Sequence, residues 1–334
     1  MISMKNLLGL SLQELEELLK SHTIKPVKAK ELFKLINKKL STDLDELTSF
    51  KQFERELLKK KHFISTLALK NLQKGQHTQK AAFKLNDGQI IETAFIDQNK
   101  ERKTICLSSQ VGCPIGCKFC ATGQMGFKRN LTSTEIISQA YFFAQTEIIS
   151  NIVFMGMGEP FLNFDNTVKA AKILNSPSGQ NLATRKIVFS TIGIISGIEK
   201  LAKVKEPFRL AWSLVSPFEE NRRKLIPYQK LPSIKETIAA LANYQKKIRR
   251  RVTISYVLLK GINDTKKDIE ELIKISRQLD ALVNLIAYNP SPGLPFEEGN
   301  ITATKELLQK EKILVTIRKS LGQDISAACG QLST

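Results

Sequence analysis

The period of the apolar positions changes along the chain, and the changes divide it. In residues 11–20, SLQELEELLK, the residues Leu12, Leu15, Leu18 and Leu19 recur at helical spacing behind a capping pair, Ser11 with Glu14. The same spacing predicts helices over 26–40 and 44–62. Near residue 65 the period drops to two. AAFKLNDGQIIETAFI alternates apolar and polar positions around Asp87-Gly88, which predicts a hairpin. From residue 104, short β-branched runs alternate with amphipathic stretches. TICLSSQ, NIVFMG, KIVFSTIG, FRLAWSLV, VTISYVLL and VNLIAYNP read as strands, and ILVTIRK as a further edge strand. TSTEIISQAYFFAQ, capped by Thr132 and Glu135, and TKKDIEELIKISRQL read as intervening helices.

Six βα units imply a parallel sheet. They are too few for an eight-unit barrel, so the expected fold is α/β, a partial (β/α)6 TIM-like barrel. The expected units are a small helical domain over 1–65, a β-hairpin connector over 66–98, the barrel core over 99–322 and a C-terminal segment over 323–334.

Charge adds a partner class. Lys and Arg number 51 against 32 Asp and Glu, a net charge of +19. A surplus of this size favours a polyanion, because each neutralised phosphate releases counterions. Basic runs lie at KAKELFKLINKK, RELLKKKH and YQKKIRRR. The basic helical unit at 1–65 is the expected nucleic-acid-binding accessory domain. No run approaches the roughly 18 to 20 apolar residues that span a bilayer. The N-terminal apolar run is too short for a signal peptide and soon turns acidic. No membrane association and a cytoplasmic location are expected.

Candidate chemistry centres on QVGCPIGCKFCATG. Cys113, Cys117 and Cys120 are spaced C-x-x-x-C-x-x-C, and the only other cysteines are Cys106 and Cys329. The cluster follows the first core strand, at the strand ends where barrel active sites sit. Three thiolates hold three irons of a [4Fe–4S] cluster and leave the fourth iron open. The alternative is a structural zinc with Cys106 as fourth thiolate, in a non-catalytic RNA-binding protein. A disulfide framework would leave an odd thiol.

CPIGCKFC, with Phe119 before the last cysteine, resembles the signature of the radical S-adenosylmethionine enzymes. The longer string CLSSQVGCPIGCKFCATGQMGFKRNLTSTEI, with FMGMGEP, STIGI, LLKGINDT, NLIAYNP and DISAACGQL, resembles the RlmN/Cfr family of RNA methyltransferases. The likeness runs from the N-terminal helices to residue 332. It implies a barrel core of the radical SAM type. It also implies that Cys113, Cys117 and Cys120 hold a [4Fe–4S] cluster whose open iron binds S-adenosylmethionine. The implied cofactor contacts are Gly158, Glu159, Ser190, Ser213, Leu214, Val215 and Asn289.

The resemblance implies a reaction as well. Carbon-2 of adenine lies between two ring nitrogens and is too electron-poor for polar methyl transfer, whereas a carbon radical adds there. Two S-adenosylmethionine molecules are used per turnover. One methylates Cys329, a thiolate being nucleophilic enough to accept. The second supplies a 5′-deoxyadenosyl radical that activates the methyl for addition to adenine. Cys106 then removes the carbon-2 proton and resolves the thioether by forming a disulfide with Cys329. Glu92 matches an acidic position credited with accepting a proton. The implied substrates are an adenosine in the peptidyl transferase region of large-subunit ribosomal RNA and the adenosine 3′ of the anticodon in transfer RNA. An electron donor such as flavodoxin and a monomeric enzyme complete the expectation. The family commonly has SLH and PIN where this chain has Ser213-Leu214-Val215 and Pro227-Tyr228-Gln229. Pro160 and Val111 follow the RlmN pattern; a Cfr-type enzyme acting at carbon-8 is the alternative.

Overall fold

A computed structural model describes residues 4–99 and 101–333. Ten strands form one sheet in strict chain order. They are β1 (Ala68–Lys74), β2 (Thr78–Lys84), β3 (Ile90–Asn99), β4 (Arg102–Cys106), β5 (Asn151–Phe154), β6 (Ile187–Thr191), β7 (Arg209–Ser213), β8 (Thr253–Leu258), β9 (Leu282–Ala287) and β10 (Val315–Arg318). From β4 to β10 every pairing is parallel. This is the partial barrel expected from the alternating pattern, with ILVTIRK supplying the last strand. β1 to β4 pair antiparallel. The predicted hairpin turns at Asp87-Gly88, where Gly88 has φ +82°, a conformation most side chains resist. The 66–98 stretch thus extends the barrel sheet by three strands. The TICLSSQ strand is shorter than its apolar run. It ends at Cys106, and Gln110–Gly112 pairs instead with Phe127–Asn130.

Strand register decides what faces the barrel interior. Lys80 lies opposite Ala94, Ala94 opposite Cys106, and Cys106 opposite Val153. The same row continues through Val188 and, two residues on, Ser190 opposite Ala211, then Ser213 opposite Ser255, Val257 opposite Ile286, and Ile286 opposite Arg318. A strand repeats every two residues, so all of these share one face.

The helical unit comprises Leu12–Ser21, Ala29–Lys34 with a wider turn to Lys39, and Gln52–Lys61. A single helix over 44–62 does not form. A short 3₁₀ turn, Leu44–Glu46, is followed by a break. There the Ser49 N–H donates to Glu31 Oε1 at 3.2 Å, and the Lys51 N–H donates to Glu54 Oε2 at 2.7 Å. These side chains capture backbone donors that a continuous helix would need. The unit docks on the outer helices Ser133–Ala144 and Phe164–Asn175. Leu15, Leu19, Leu32, Phe33 and Ile36 share the barrel's apolar core. Tyr141 donates to Asn37 Oδ1 at 2.8 Å, Thr134 donates to the Leu8 carbonyl at 2.6 Å, and Lys169 pairs with Glu14 at 2.6 Å.

After β10 the chain does not stay at that edge. The Gln76 N–H, beside β2, donates to Asp324 Oδ2 at 3.1 Å. The Ser333 N–H donates to Glu92 Oε2, on β3, at 2.9 Å. The C-terminal segment therefore straps the open side of the barrel, from its last strand back to its first ones. Among the described residues, no helix is long and apolar enough to cross a membrane.

Candidate active site

The inner face opens at the strand ends into a cavity of about 180 Å³. Cys113, Cys117 and Cys120 line it from the loop after β4. Gly158 and Glu159 line it from the loop after β5, Ser190 and Ser213 from the ends of β6 and β7, and Val215 from just beyond. The cavity is lined mostly by apolar surface with a few convergent polar groups, as ligand sites are. It exists because the row facing inward is built of small residues, Ser190, Ala211, Ser213 and Ser255.

The loop that carries Glu159 is tightly fitted. Gly158 has φ +99°, and a Cβ there would sit 2.5 Å from Gln110 Cβ. Gln110 is fully buried and accepts the Glu159 N–H at 2.9 Å while its amide donates to Asn130 at 2.8 Å. Glu159 itself accepts from the Phe161 N–H at 3.1 Å and the Ile192 N–H at 3.0 Å. Burial pushes its carboxyl up to about 7 despite those donors. A cationic ligand group arriving beside it would favour the charged form. The sequence carried no signal for Gln110 beyond its place next to the cysteine motif.

Three thiols and no fourth protein donor are the donor set of an open cluster. Among the described residues, no three His, Cys, Asp or Glu side chains are disposed around one ion. A cluster asks for wider separation, because each thiolate meets a different iron. Burial raises Cys113 to about 12 and pushes Cys117 and Cys120 upward as well. Such thiols give up their protons when a metal centre arrives to hold the charge. The residues present therefore fit the cluster.

A second cavity adjoins the first. Cys106, Cys329, Asn289, Arg318 and Lys319 line it. Cys120, Thr122, Met155, Gly156, Ile286, Cys329 and Gly330 line both. Cys106 and Cys329 are both free thiols. Cys106 is buried in the inner row, which pushes its thiol up to about 12, while the Arg318 charge draws it down. Cys329 thus stands on the partition, with the cysteine loop on one side and Cys106 on the other.

Two expected contacts, Leu214 and Asn289, and the expected proton acceptor Glu92 fall elsewhere. Leu214 lines neither cavity and is fully buried in the core, because a strand cannot turn three consecutive side chains to one face. Val215 reaches the cavity only by adopting φ +66°, rare for a β-branched residue. Asn263, also fully buried, holds it there by donating to the Val215 carbonyl at 2.6 Å. Asn289 faces the second cavity, where it donates to the Cys329 carbonyl at 3.0 Å and accepts from Gln323 at 2.7 Å. Glu92 lines neither cavity; it is buried in an ion pair with Lys80 at 3.0 Å. Both its oxygens are engaged by donors.

Comparison with known proteins agrees with this geometry. Residues 107–275 match the radical SAM superfamily. The chain is 41% identical to a probable dual-specificity RNA methyltransferase RlmN of Thermotoga neapolitana, covering 98% of this chain and 97% of that one. It is 39% identical to the protein of the same description from Aquifex aeolicus, covering 96% and 95%. The crystal structure of a radical SAM methyltransferase from Sphaerobacter thermophilus superposes with a TM-score of 0.91 at 38% identity, covering 99% of both chains. Streptococcus suis SuiB bound to S-adenosylmethionine, at 13% identity and a TM-score of 0.50, covers 66% of this chain and 52% of its own and shares the fold alone.

Proposed function

For a chain that belongs to the radical SAM superfamily and, within it, to the RlmN family of RNA methyltransferases, we propose methylation of adenine at carbon-2. The substrates are large-subunit ribosomal RNA and transfer RNA, with Cys329 as methyl carrier and Cys106 as its resolving partner. The observation that supports this most is the position of Cys329, on the partition between two cavities. A thiol used only as a cluster ligand or core residue has no need of a second free thiol across a cavity.

The cluster held by Cys113, Cys117 and Cys120, with S-adenosylmethionine, supplies methyl groups and a carbon radical. The protein's own residues do the rest. Glu159 orients the ligand ammonium, and Ser190 and Ser213 border the same cavity. Asn289 fixes the Cys329 main chain. Cys329 carries the methyl carbon and, once that carbon has bonded to adenine, tethers the RNA through a thioether. Cys106 takes the carbon-2 proton. That proton passes on to solvent and the adduct's unpaired electron would return to the cluster. The Cys106 thiolate so regenerated then attacks Cys329 sulfur: the S–S bond forms, the S–C bond breaks, and its electron pair leaves with the new methyl, which gains a proton. The disulfide needs two electrons before the next turnover. The basic surface favours RNA by counterion release, and the base must leave its stack to enter.

Anaerobic enzyme with a low-potential reductant, S-adenosylmethionine and either RNA tests this. Nucleoside mass spectrometry should show 2-methyladenosine. Only 8-methyladenosine would assign the Cfr-type reaction, and no methylated adenine from cluster-loaded enzyme would overturn the proposal.

A further inference from the structure

The strap that carries Cys329 is fastened by a buried ion pair on which the chemistry above makes no demand. Lys80 and Glu92 sit on β2 and β3, 9% and 6% exposed, and face the barrel interior. They pair at 3.0 Å. A buried pair of this kind stabilises little by itself, because desolvation offsets attraction. Its remaining bonds are specific. Lys80 Nζ donates to the Ser326 carbonyl at 3.3 Å, and Glu92 Oε2 accepts the Ser333 N–H at 2.9 Å. Those two residues flank Cys329, three before it and four after. Between them the strap takes a shape that a free chain would not keep. Ser326 has φ +50° and Gly330 φ +87°. Ala327 packs against Ala94, Cys106 and Val153.

We propose that Lys80 and Glu92 are positioning residues, a two-point latch that holds the Cys329 segment across the open barrel so that its thiol stands between the cysteine loop and Cys106. Glu92 acts through the strap and not on the substrate. Lys80 belongs to the site although it touches neither cavity. The functional consequence rests on Cys329 being the methyl carrier; the latch itself does not.

The test uses full-length, cluster-loaded protein without RNA, read by hydrogen exchange over residues 327–333 and by the alkylation rate of Cys329. In the double variant Lys80→Met with Glu92→Leu no lone charge is left buried, so the fold is kept and the latch is lost. Strap exchange should then rise at least roughly ten- to a hundredfold, what one of the two charge-assisted hydrogen bonds contributes alone, with exchange in β8 unchanged. Lys80→Arg should stay near wild type. The charge-swapped pair, Lys80→Glu with Glu92→Lys, restores the ion pair but can neither donate to Ser326 nor accept from Ser333, so its strap should remain loose. Wild-type strap exchange in the double apolar variant would overturn the latch, as would full recovery in the charge-swapped one, which would make the pair a bond within the sheet only. A separate arm measures methyl on Cys329 after incubation with S-adenosylmethionine. Absence of methyl from the wild type as well would count against the proposed function, and the exchange arm would still decide the latch.

Discussion

Glu159→Gln should stabilise the metal-free protein at pH 8, destabilise it at pH 4.5, and weaken S-adenosylmethionine binding. The signs follow from burial. The folded carboxyl keeps its proton until about pH 7, whereas the unfolded chain releases it near its ordinary value of 4.5. Between those values the folded state binds more protons, so stability falls as pH rises. The full shift corresponds to about 3 kcal/mol lost by pH 8. Glutamine is isosteric and uncharged, so it escapes that loss. It has one acceptor oxygen where Glu159 serves two N–H groups, Phe161 and Ile192, and stranding one costs about 1–2 kcal/mol. The net is a gain of roughly 1–2 kcal/mol at pH 8 and a comparable loss at pH 4.5. Binding moves the other way at pH 8. Losing a charge-assisted bond to the ligand ammonium raises Kd roughly ten- to a hundredfold. Urea unfolding of reduced, metal-free protein at the two pH values and calorimetric titration of cluster-loaded protein provide the readouts. Equal destabilisation at both pH values would refute the desolvated carboxylate. Unchanged affinity would refute its contact with the ligand.

Changing Cys113, Cys117 or Cys120 to Ala should abolish the brown colour and the iron content of about four per chain; a full cluster in any of them would remove that cysteine from the ligand set. Cys106→Ala should accumulate RNA bonded through a methylene to Cys329, visible on denaturing gels and trimmed by ribonuclease to one nucleotide. Cys329→Ala should give neither adduct nor product, and normal turnover by Cys106→Ala would remove its assigned role. Asn263→Ala loses bonds to the Val215 and Val257 carbonyls and the Leu259 N–H. It should cost about 3 kcal/mol in urea unfolding, and a cost under about 1 kcal/mol would mean that water replaces those bonds.

The parallel strands could be read from sequence because strands covered on both faces are continuous apolar runs. The cysteine loop could be read because its spacing has few other uses. What could not be read depends on which way a side chain points. Ser213-Leu214-Val215 looks like one contact motif, yet strand alternation sends Leu214 into the core and only a left-handed backbone brings Val215 back. Lys80 looks like the solvent side of an alternating strand, since a lysine in TQKAAFK carries no mark of burial. Only the register that sets it beside Ala94, in the row of Cys106, reveals it. Glu92 was conspicuous in sequence, and its surroundings were not. A strand carboxylate announces chemistry, but its partners, Lys80 and Ser333, lie 12 residues before it and 241 after it. The helix expected over 44–62 failed at Ser49 and Lys51, where capping bonds from distant or downstream glutamates decide the break.

Arg318 lessens a difficulty in the proposed use of Cys106 as a base. A thiol held up to about 12 by burial is protonated at neutral pH. Among the described residues Arg318 forms no ion pair; its guanidinium meets the Met155 sulfur and lines the cavity with both thiols. It is the charge that draws Cys106 down, while a negative Cys329 would push it up. Methylation of Cys329 removes that second charge, so Cys106 becomes easier to ionise once the carrier is loaded. On the proposed mechanism the base is then easier to ionise with the carrier methylated than with it ionised. Arg318→Met should slow alkylation of Cys106 by roughly three- to tenfold at pH 9, and wild-type enzyme with methylated Cys329 should react faster than enzyme without it. Rates measured by mass spectrometry on cluster-loaded protein decide the matter. An unchanged rate in Arg318→Met would show that the guanidinium does not reach the thiolate, and Cys106 would then need another source of positive charge to act.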